Sequence, residues 1–314
     1  MRQRFRSTAL CVCLALIAGC TPPAQVSIPR GDAQNGVSVR TADLLYVSDL
    51  GANSVDYLTY PEGKAAGTLT GFGSVAGLCS DKAGDVFVVD EAGPVDAYAH
   101  GGSTPIRKLT TKGAPYGCGV DPTSGDLALT NLSSVLYGTI AIYPHAKGKP
   151  RIYEDYAVST TVFCGYDDAG NLFIDGTNRS GEFVLLELPK GKRGFRTFKL
   201  TRRVQNAGGV EWDGRYVAIA DRGAGMIYRT TPTGKVAQIV KLQRAPEIED
   251  FWLAGSTLIG PNARSGGTVD VWHYPGGGAP IKTMRDFLDP IGVTLSASGR
   301  RMPESAGSAD SSRR

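Results

Sequence analysis

The sequence predicts an all-β protein, a β-propeller of six blades with four antiparallel strands in each blade. Three observations lead to this prediction: the glycine and proline content, an apolar strand that recurs six times, and a hairpin that recurs in phase with it. The chain has 314 residues, of which 41 are Gly and 18 are Pro. Without a collagen-like period, this composition indicates many tight turns between short strands.

The recurring apolar strand lies between residues 41 and 296. Each copy follows a turn, and successive copies begin 41 to 45 residues apart. The six copies begin at Leu45, Val86, Leu127, Leu172, Tyr216 and Leu258. A unit of roughly 40–50 residues that holds four short strands is the period of a propeller blade. We therefore predict one propeller domain over residues 41–296.

Two further markers keep the same step. Each recurring strand ends in a carboxamide or carboxylate, and we call these six residues the polar ring: Asp49, Asp90, Asn131, Asp175, Asp221 and Asn262. We interpret the polar ring as structural, because short polar side chains at strand ends accept hydrogen bonds from the backbone of the following turn. A ring of ligands around the axis is the alternative. A hairpin follows in each unit, and five of the six carry proline, at Pro61, Pro144, Pro189, Pro232 and Pro275, where its fixed φ suits a tight turn.

The innermost strands and the two ends of the domain predict how the ring closes. Each inner strand tends to begin with glycine, at Gly77, Gly117, Gly165 and Gly209, where the blades converge and leave little room for side chains. The first unit begins at its second strand and has no inner strand before it. Residues 290–294 have the inner-strand pattern, so we predict that this C-terminal strand completes the N-terminal blade and closes the ring, which removes exposed strand edges.

The first 20 residues predict an export signal. Three arginines within the first six residues precede an apolar run over residues 9–18, which is too short to span a bilayer. The run ends Ile17-Ala18-Gly19-Cys20 and resembles a bacterial lipobox, the cleavage and lipidation signal of lipoproteins. The resemblance implies removal of residues 1–19, a lipid on Cys20 that anchors the protein to a membrane, and a place in the bacterial cell envelope. Thr21 replaces the Asp that often retains such proteins at the inner membrane, which favours the outer membrane.

The segments on either side of the propeller lack apolar periodicity. Residues 21–40 are rich in Pro, Gly, Ser, Gln and Asn, which predicts a flexible tether behind the lipidated cysteine. Residues 297–314 have a similar composition and predict a disordered tail. The domain organisation is thus a signal over 1–19, a lipidated tether over 20–40, the propeller over 41–296 and the tail.

Two stretches of the propeller resemble known families. Residues 47–55 resemble the NHL-type propeller repeat, and residues 209–217 resemble gluconolactonase-like propellers. The second resemblance implies one divalent cation, Ca²⁺ or similar, in the central funnel, where it would polarise a carbonyl or activate water. It implies as an alternative function a metal-dependent hydrolase of lactones or similar esters.

One acidic cluster is expected near the propeller axis. Residues 246–252 lie on the predicted inner strand of blade 6, where other blades have glycine, and alternation places Glu247 and Glu249 on one face, with Asp250 beside them. Asn206 and Asp289 are candidate partners across the funnel. These five residues are the candidate ligand-binding group for a cation or a basic ligand, and a solvated lining of the funnel mouth is the alternative.

The cysteines and histidines do not predict a catalytic set. Cys79, Cys118 and Cys164 remain after signal removal, so at least one is unpaired. Their registers on the inner strands differ, which predicts that their side chains do not share a face and are small buried hydrophobes. The three histidines are expected toward the outside of the blades, so a histidine-based lyase such as the streptogramin-lyase-like propellers is disfavoured.

The charge pattern excludes one class of partner. The formal net charge is +4, and arginines concentrate near the two ends. A nucleic-acid surface would show a basic stripe with interleaved aromatic residues, and none is present.

From all these observations, the sequence predicts a monomeric, non-catalytic envelope lipoprotein that binds a small molecule or an envelope protein. No cofactor is predicted beyond the divalent cation of the hydrolase alternative, and no metal-binding residues are assigned.

Overall fold

The computed structural model describes residues 24–27, 41–132, 137–263 and 266–298. The predicted signal, Cys20 and the tail beyond residue 298 lie outside the described residues. Within them, no helix is long and apolar enough to cross a membrane. A 3₁₀ turn covers Pro144–Ala146.

In the described part of the chain, twenty-five strands form six sheets, one for each blade. The chain begins with β1 (Ala24–Ser27). Blade 1 has β2 (Asp43–Asp49), β3 (Ser54–Tyr60) and β4 (Ala65–Leu69), and blade 2 has β5 (Val75–Ser80), β6 (Val86–Asp90), β7 (Val95–Tyr98) and β8 (Pro105–Leu109). Blade 3 has β9 (Pro115–Val120), β10 (Leu127–Asn131), β11 (Gly138–Tyr143) and β12 (Arg151–Asp155).

The second half repeats this order. Blade 4 has β13 (Thr160–Tyr166), β14 (Leu172–Thr177), β15 (Phe183–Leu188) and β16 (Arg196–Phe198). Blade 5 has β17 (Ala207–Trp212), β18 (Val217–Asp221), β19 (Met226–Thr230) and β20 (Val236–Lys241). Blade 6 has β21 (Trp252–Ala254), β22 (Thr257–Asn262), β23 (Thr268–His273) and β24 (Gly277–Arg285), and the last strand is β25 (Pro290–Ser296). The six-bladed, four-stranded architecture predicted from the repeat is confirmed.

The ring closes as predicted. The C-terminal strand β25 pairs antiparallel with β2, with Val293 opposite Val47, and becomes the inner strand of blade 1. Ser48 tightens this closure, because its hydroxyl donates to the carbonyl of Ala76 at 2.5 Å and accepts from the amide of Gly292 at 2.8 Å. The last strand, the first blade and the second blade are thereby joined at the axis.

Glycine lets the inner strands approach each other closely. A Cβ on Gly77 would lie 2.7 Å from the carbonyl oxygen of Tyr116 on the next blade, and one on Gly117 would lie 2.6 Å from that of Val162. These glycines stand at the third position of β5 and β9 rather than at the first. The blades therefore converge, and require glycine, in the middle of the inner strand rather than at its first residue as the sequence predicted.

The hydrophobic core lies between the blades. Side chains on each sheet alternate between its two neighbours, so each interface buries residues of two blades. Leu44 and Tyr46 of blade 1, for example, are buried together with Val86 and Val88 of blade 2. Trp272 is the largest fully buried side chain and packs between blades 5 and 6.

Two regions differ from the prediction. Within the segment predicted as a flexible tether, β1 pairs parallel with β24 and adds a fifth strand to blade 6. The inner strand of blade 6 is shorter than predicted, because residues 246–251 are not a strand apart from one bridge between Ile248 and Asn262. The carbonyl of Glu249 instead accepts from the amide of Gly209 at 2.8 Å, so this backbone pairs with blade 5.

Candidate functional site

The axis of the propeller holds a chamber of about 530 Å³ that opens at the end where the inner strands finish. All six inner strands contribute to its wall, through Cys79, Cys118, Gly165, Glu211, Trp252 and Leu295. Trp212 and Tyr166 add aromatic surface to the same wall. The chamber is therefore a product of ring closure and exists only when all six blades are in place.

Asp250 lines the chamber and is almost completely buried, with 8% of its surface exposed. Its Oδ1 accepts from the amide of Phe251 at 2.8 Å, and its Oδ2 accepts from the amide of Val293 at 3.4 Å. Gly209 leaves room for it, because a Cβ there would lie 2.7 Å from Oδ1. Burial outweighs these hydrogen bonds and raises the pKa of Asp250 to about 8, since a charged carboxylate is disfavoured away from water.

Two more carboxyl groups lie near Asp250. Glu211 lines the chamber, and burial together with the charge of Asp250 raises the pKa of Glu211 well above its ordinary value. Asp175 is fully buried and accepts from the amide of Phe163 at 2.8 Å through Oδ1, while its Oδ2 has no hydrogen-bond partner. Burial raises the pKa of Asp175 strongly as well. The inner part of the propeller thus holds three carboxyl groups that favour a proton.

A cluster of polar side chains, which we call the plug, crosses the axis near the beginning of the inner strands. It consists of Tyr116 in blade 3, Glu249 before blade 6 and Arg222 after β18 in blade 5. Tyr116 donates to Oε1 of Glu249 at 2.5 Å, and Arg222 donates to the same oxygen at 2.6 Å. Burial opposes the charge of Arg222, but Glu249, Tyr116 and Glu247 together outweigh it and raise the pKa of the guanidinium group. The plug joins blades on opposite sides of the ring.

The five candidate ligand-binding residues do not converge. Glu247 and Glu249 both act electrostatically on Arg222 at the plug, and Glu247 also raises the pKa of Asp289, after burial and Asp49. Asp250 lies in the chamber. Asn206 is exposed and is held through its backbone amide by Asp221 at 3.1 Å. The structure therefore divides the predicted group between the plug, the chamber and the surface.

Glu211, Tyr116 and Arg222 are the central residues that sequence reasoning missed, and Asp175 was assigned to the polar ring instead. Glu211 is the polar residue of a strand whose first four residues, AGGV, are buried, which was a detectable signal. The meeting of Tyr116 with Arg222 depends on contacts between distant blades, for which the repeat gives no signal. Among the described residues, no three His, Cys, Asp or Glu side chains form a group that could hold a metal ion.

Five members of the polar ring occupy equivalent places at the ends of their strands. Asp49 accepts from the amides of Leu288 and Asp289, and Asp90 accepts from those of Gly73 and Ser74. Asn131 and Asp221 accept from the loops before their own inner strands, and Asn262 donates to the carbonyl of Arg244. These bonds tie the second strand to the loop that enters the inner strand, rather than mainly to the following turn.

Asp175 is the exception in the polar ring. It pairs with Leu185 two positions before the end of β14, and Gly176 stands where the other blades have their polar residue, opposite Thr161. Because side chains alternate along a strand, Asp175 points to the other face of its sheet and toward the interior. Its place in the ring was assigned from spacing alone, and a shift of one residue changes its surroundings completely.

The prediction that the cysteines are separate buried hydrophobes is wrong for two of them. Cys79 and Cys118 form a disulfide with a Cα–Cα distance of 5.7 Å, whereas Cys164 is free and buried. The registers do differ, but neighbouring blades present opposite faces to each other. Side chains on adjacent inner strands therefore meet when their positions in the strand differ by one residue. Side chains at the same position point in the same direction around the ring and do not meet. Burial raises the pKa of the Cys164 thiol, so this cysteine is unreactive.

The described histidines lie apart from the axis. His100 contacts the hydroxyl of Ser296 at 2.7 Å through Nδ1 and the carbonyl of Ala42 at 3.1 Å through Nε2. His145 contacts the carbonyl of Ser124 at 2.7 Å, and His273 is exposed at the end of β23. His100 thus connects blade 2 to both ends of the propeller domain, His145 holds a loop of its own blade, and the three do not assemble into one site.

A second concave surface, of about 1300 Å³, lies between blades 2 and 3 on the side of the ring. Its floor includes Leu109 and Tyr143, and Tyr143 donates to the carbonyl of Thr110 at 2.8 Å across the interface. Its rim carries Lys112, Lys147 and Lys149. This groove is cationic, in contrast to the chamber.

Comparison with known proteins supports the fold. No protein-family model matches the sequence, and no curated protein matches it. The chain is similar in structure to a protein in the crystal structure of a nidogen/laminin complex, with a TM-score of 0.69 and 14% sequence identity over 82% of this chain and 99% of the other. It is also similar to a protein of unknown function from Bacteroides caccae, with a TM-score of 0.61 and 11% identity over the same shares. At these identities the likeness concerns the fold, and we conclude that the chain is a six-bladed β-propeller.

Proposed function

We propose that this protein is a lipid-anchored envelope propeller that binds a ligand in its axial chamber and does not catalyse a reaction. The observation that carries the proposal is the chamber itself, an open space of about 530 Å³ walled by all six inner strands and by two tryptophans. Concave sites with apolar and aromatic walls and a few placed polar groups are typical of ligand binding. The solved structure of a nidogen/laminin complex also contains a propeller fold in a protein assembly.

The anchoring part of the proposal depends on the lipobox-like ending at Cys20. The Cys79–Cys118 disulfide supports it, because disulfides persist in exported proteins and are rare in the cytosol. The resemblances to NHL-type and gluconolactonase-like propellers remain part of the proposal, since the solved structures bear on the fold alone.

The alternative, a divalent-cation-dependent hydrolase of lactones or esters, requires carboxylates that meet at one point. Glu249 is instead engaged by Tyr116 and Arg222 in the plug, and Asp250 faces the chamber. Elemental mass spectrometry of purified residues 21–314, with melts before and after chelation, tests this alternative. Stoichiometric metal and ester hydrolysis that is lost in Glu249→Gln would favour it over the binding proposal.

Anchoring and binding are tested separately. Cys20→Ser in the full chain should release the protein from the membrane fraction and leave its melting temperature unchanged. A small-molecule library screened by thermal shift should return ligands that also change tryptophan fluorescence, because Trp212 and Trp252 line the chamber. Ligands that are converted to products would contradict the non-catalytic proposal, and a membrane-bound Cys20→Ser variant would contradict lipid anchoring.

A further inference from the structure

The chamber is acidic. Its described lining carries five carboxyl side chains, Asp81, Asp121, Asp168, Glu211 and Asp250, and one ammonium group, on Lys82. Asp168 and Asp121 have partners, since Asp168 accepts from the indole of Trp212 at 2.8 Å and Asp121 accepts from Thr123 and Ser124 at 2.7 Å. The charge of the chamber is therefore complementary to a cation.

Asp250 and Glu211 have no cationic partner among the described residues. Asp250 is bonded only to backbone amides, and no hydrogen bond or ion pair from the described part of the chain reaches the carboxylate of Glu211. Asp175, whose Oδ2 is buried without a partner, acts electrostatically on the same region. Burying carboxyl groups without a counter-charge lowers stability, so their place in the lining of an open chamber indicates a role beyond folding.

The aromatic wall fits the same ligand. Trp212 and Trp252 lie on the inner strands of adjacent blades, on the same wall as Glu211. The indole of Trp212 is fixed by its hydrogen bond to Asp168 and by stacking on Phe173, with ring centroids 6.4 Å apart. Aromatic surface next to carboxylates favours organic cations, which combine an apolar body with a positive charge.

We propose that the chamber binds a small organic cation, with its ammonium group between Glu211 and Asp250 and its apolar part against Trp212 and Trp252. This inference rests on the proposed binding function and names the chemical class of the ligand. A hydrated metal ion would not use the tryptophans, and a neutral or anionic molecule would gain no charge pairing with the two carboxyl groups, which release their protons when an ammonium group lies beside them.

The test uses 4-phenylbutylamine as the probe, with 4-phenylbutan-1-ol and 4-phenylbutyrate as its neutral and anionic counterparts. Binding to purified residues 21–314 is followed by tryptophan fluorescence and by calorimetry. We expect the amine to bind at least tenfold more tightly than the alcohol, and the carboxylate not to bind. Glu211→Gln and Asp250→Asn should each weaken binding of the amine at least tenfold, because each removes, at nearly constant shape, a carboxyl group that would ionise beside the bound ammonium group.

The matched control is Glu91→Gln, which changes a half-buried carboxyl group near the plug and outside the chamber lining. It should leave the affinity for the amine unchanged. Melting curves of each variant exclude loss of fold, and Glu211→Gln keeps the test decisive if Asp250→Asn does not fold. Equal affinities for the amine and the alcohol, with no effect of Glu211→Gln, would overturn the cation inference and leave the binding function in place. Failure of all three probes to bind would also overturn it, while the library screen tests the binding function independently.

Discussion

The phenol of Tyr116 in blade 3 donates a hydrogen bond of 2.5 Å to Glu249, which precedes the inner strand of blade 6. These two blades lie on opposite sides of the ring, so the bond spans the axis. Arg222 from blade 5 completes the contact. A propeller is otherwise held together by contacts between neighbouring blades, and the plug adds a connection that bypasses them.

Tyr116→Phe removes this connection and should lower the free energy of unfolding by about 2 kcal/mol, the range for hydrogen bonds to charged groups. Equilibrium denaturation in urea measures the change. Tyr228→Phe is the matched control, because the hydroxyl of Tyr228 contacts only the sulfur of Met226 on the same strand, at 3.7 Å. Equal effects of the two variants would show that the plug contributes nothing specific.

The Cys79–Cys118 disulfide should make stability depend on reducing agent. The two cysteines are 39 residues apart, and for a loop of that size the loop-closure model gives a stabilisation of about 4 kcal/mol. We expect the double variant Cys79→Ala/Cys118→Ala to lose a similar amount, and dithiothreitol to destabilise the wild type but not this double variant. Cys164→Ala should remain as sensitive to the reductant as the wild type. A wild type whose denaturation curve is unaffected by reductant would contradict the disulfide.

Removal of β25 should abolish cooperative folding. A chain that ends at Asp289 exposes the inner edge of β2 and removes the contact of Ser48 with Gly292. Truncation after Ser298 is the control and should melt like the full protein, because β25 ends at Ser296. Circular dichroism melts and size-exclusion chromatography distinguish the two. A sharp melt of the shorter chain at the wild-type temperature would show that ring closure is not needed for stability.

The buried Asp250 should make stability fall as pH rises. Its pKa is raised from an ordinary value of 3.8 to about 8 by burial, so above about pH 4 the folded state holds a proton that the unfolded chain has released. The free energy of unfolding therefore decreases from about pH 4 to about pH 8 and levels off above that range. Glu211 and Asp175 have pKa values shifted in the same direction and should add to the slope.

Asp250→Asn should flatten this dependence. Between pH 5 and pH 8 we expect the melting temperature of the wild type to drop by on the order of 5 °C more than that of the variant. The exposed Glu182 provides the control, since Glu182→Gln should retain the slope of the wild type. Parallel curves for the wild type and Asp250→Asn would show that Asp250 is ionised in the folded protein.

Much of the fold could be predicted from the sequence, because every blade repeats the same turns and strand ends. Turn prolines, strand-end residues such as Asp90 and inner glycines such as Gly77 are selected by local geometry, and they recur in phase. Ring closure through β25 followed from counting strands, since the first unit lacked one. The short inner strand of blade 6 could not be predicted, because the backbone of Glu249 pairs with Gly209 of another blade.

The site was less predictable, because it depends on which faces of neighbouring blades meet. The sequence prediction assumed that two cysteines can meet only if they occupy the same position in their strands. Because the positions of Cys79 and Cys118 differ by one residue, it predicted no contact. Adjacent blades present opposite faces, and the same difference brings the sulfurs together. Likewise Asp175, one residue out of step with the polar ring, lies inside the molecule. Periodicity locates a residue along its strand, and only the packing of the blades determines what that residue contacts.

The pairing of β1 with β24 has a consequence for how the protein would sit on a membrane. Ala24 is opposite Lys282 on the rim of blade 6, and it is only four positions after Cys20 in the chain. An extended chain of that length reaches about 14 Å. With a lipid on Cys20, this short link would hold the rim of blade 6 close to the bilayer. The same side of the ring would then always face the membrane.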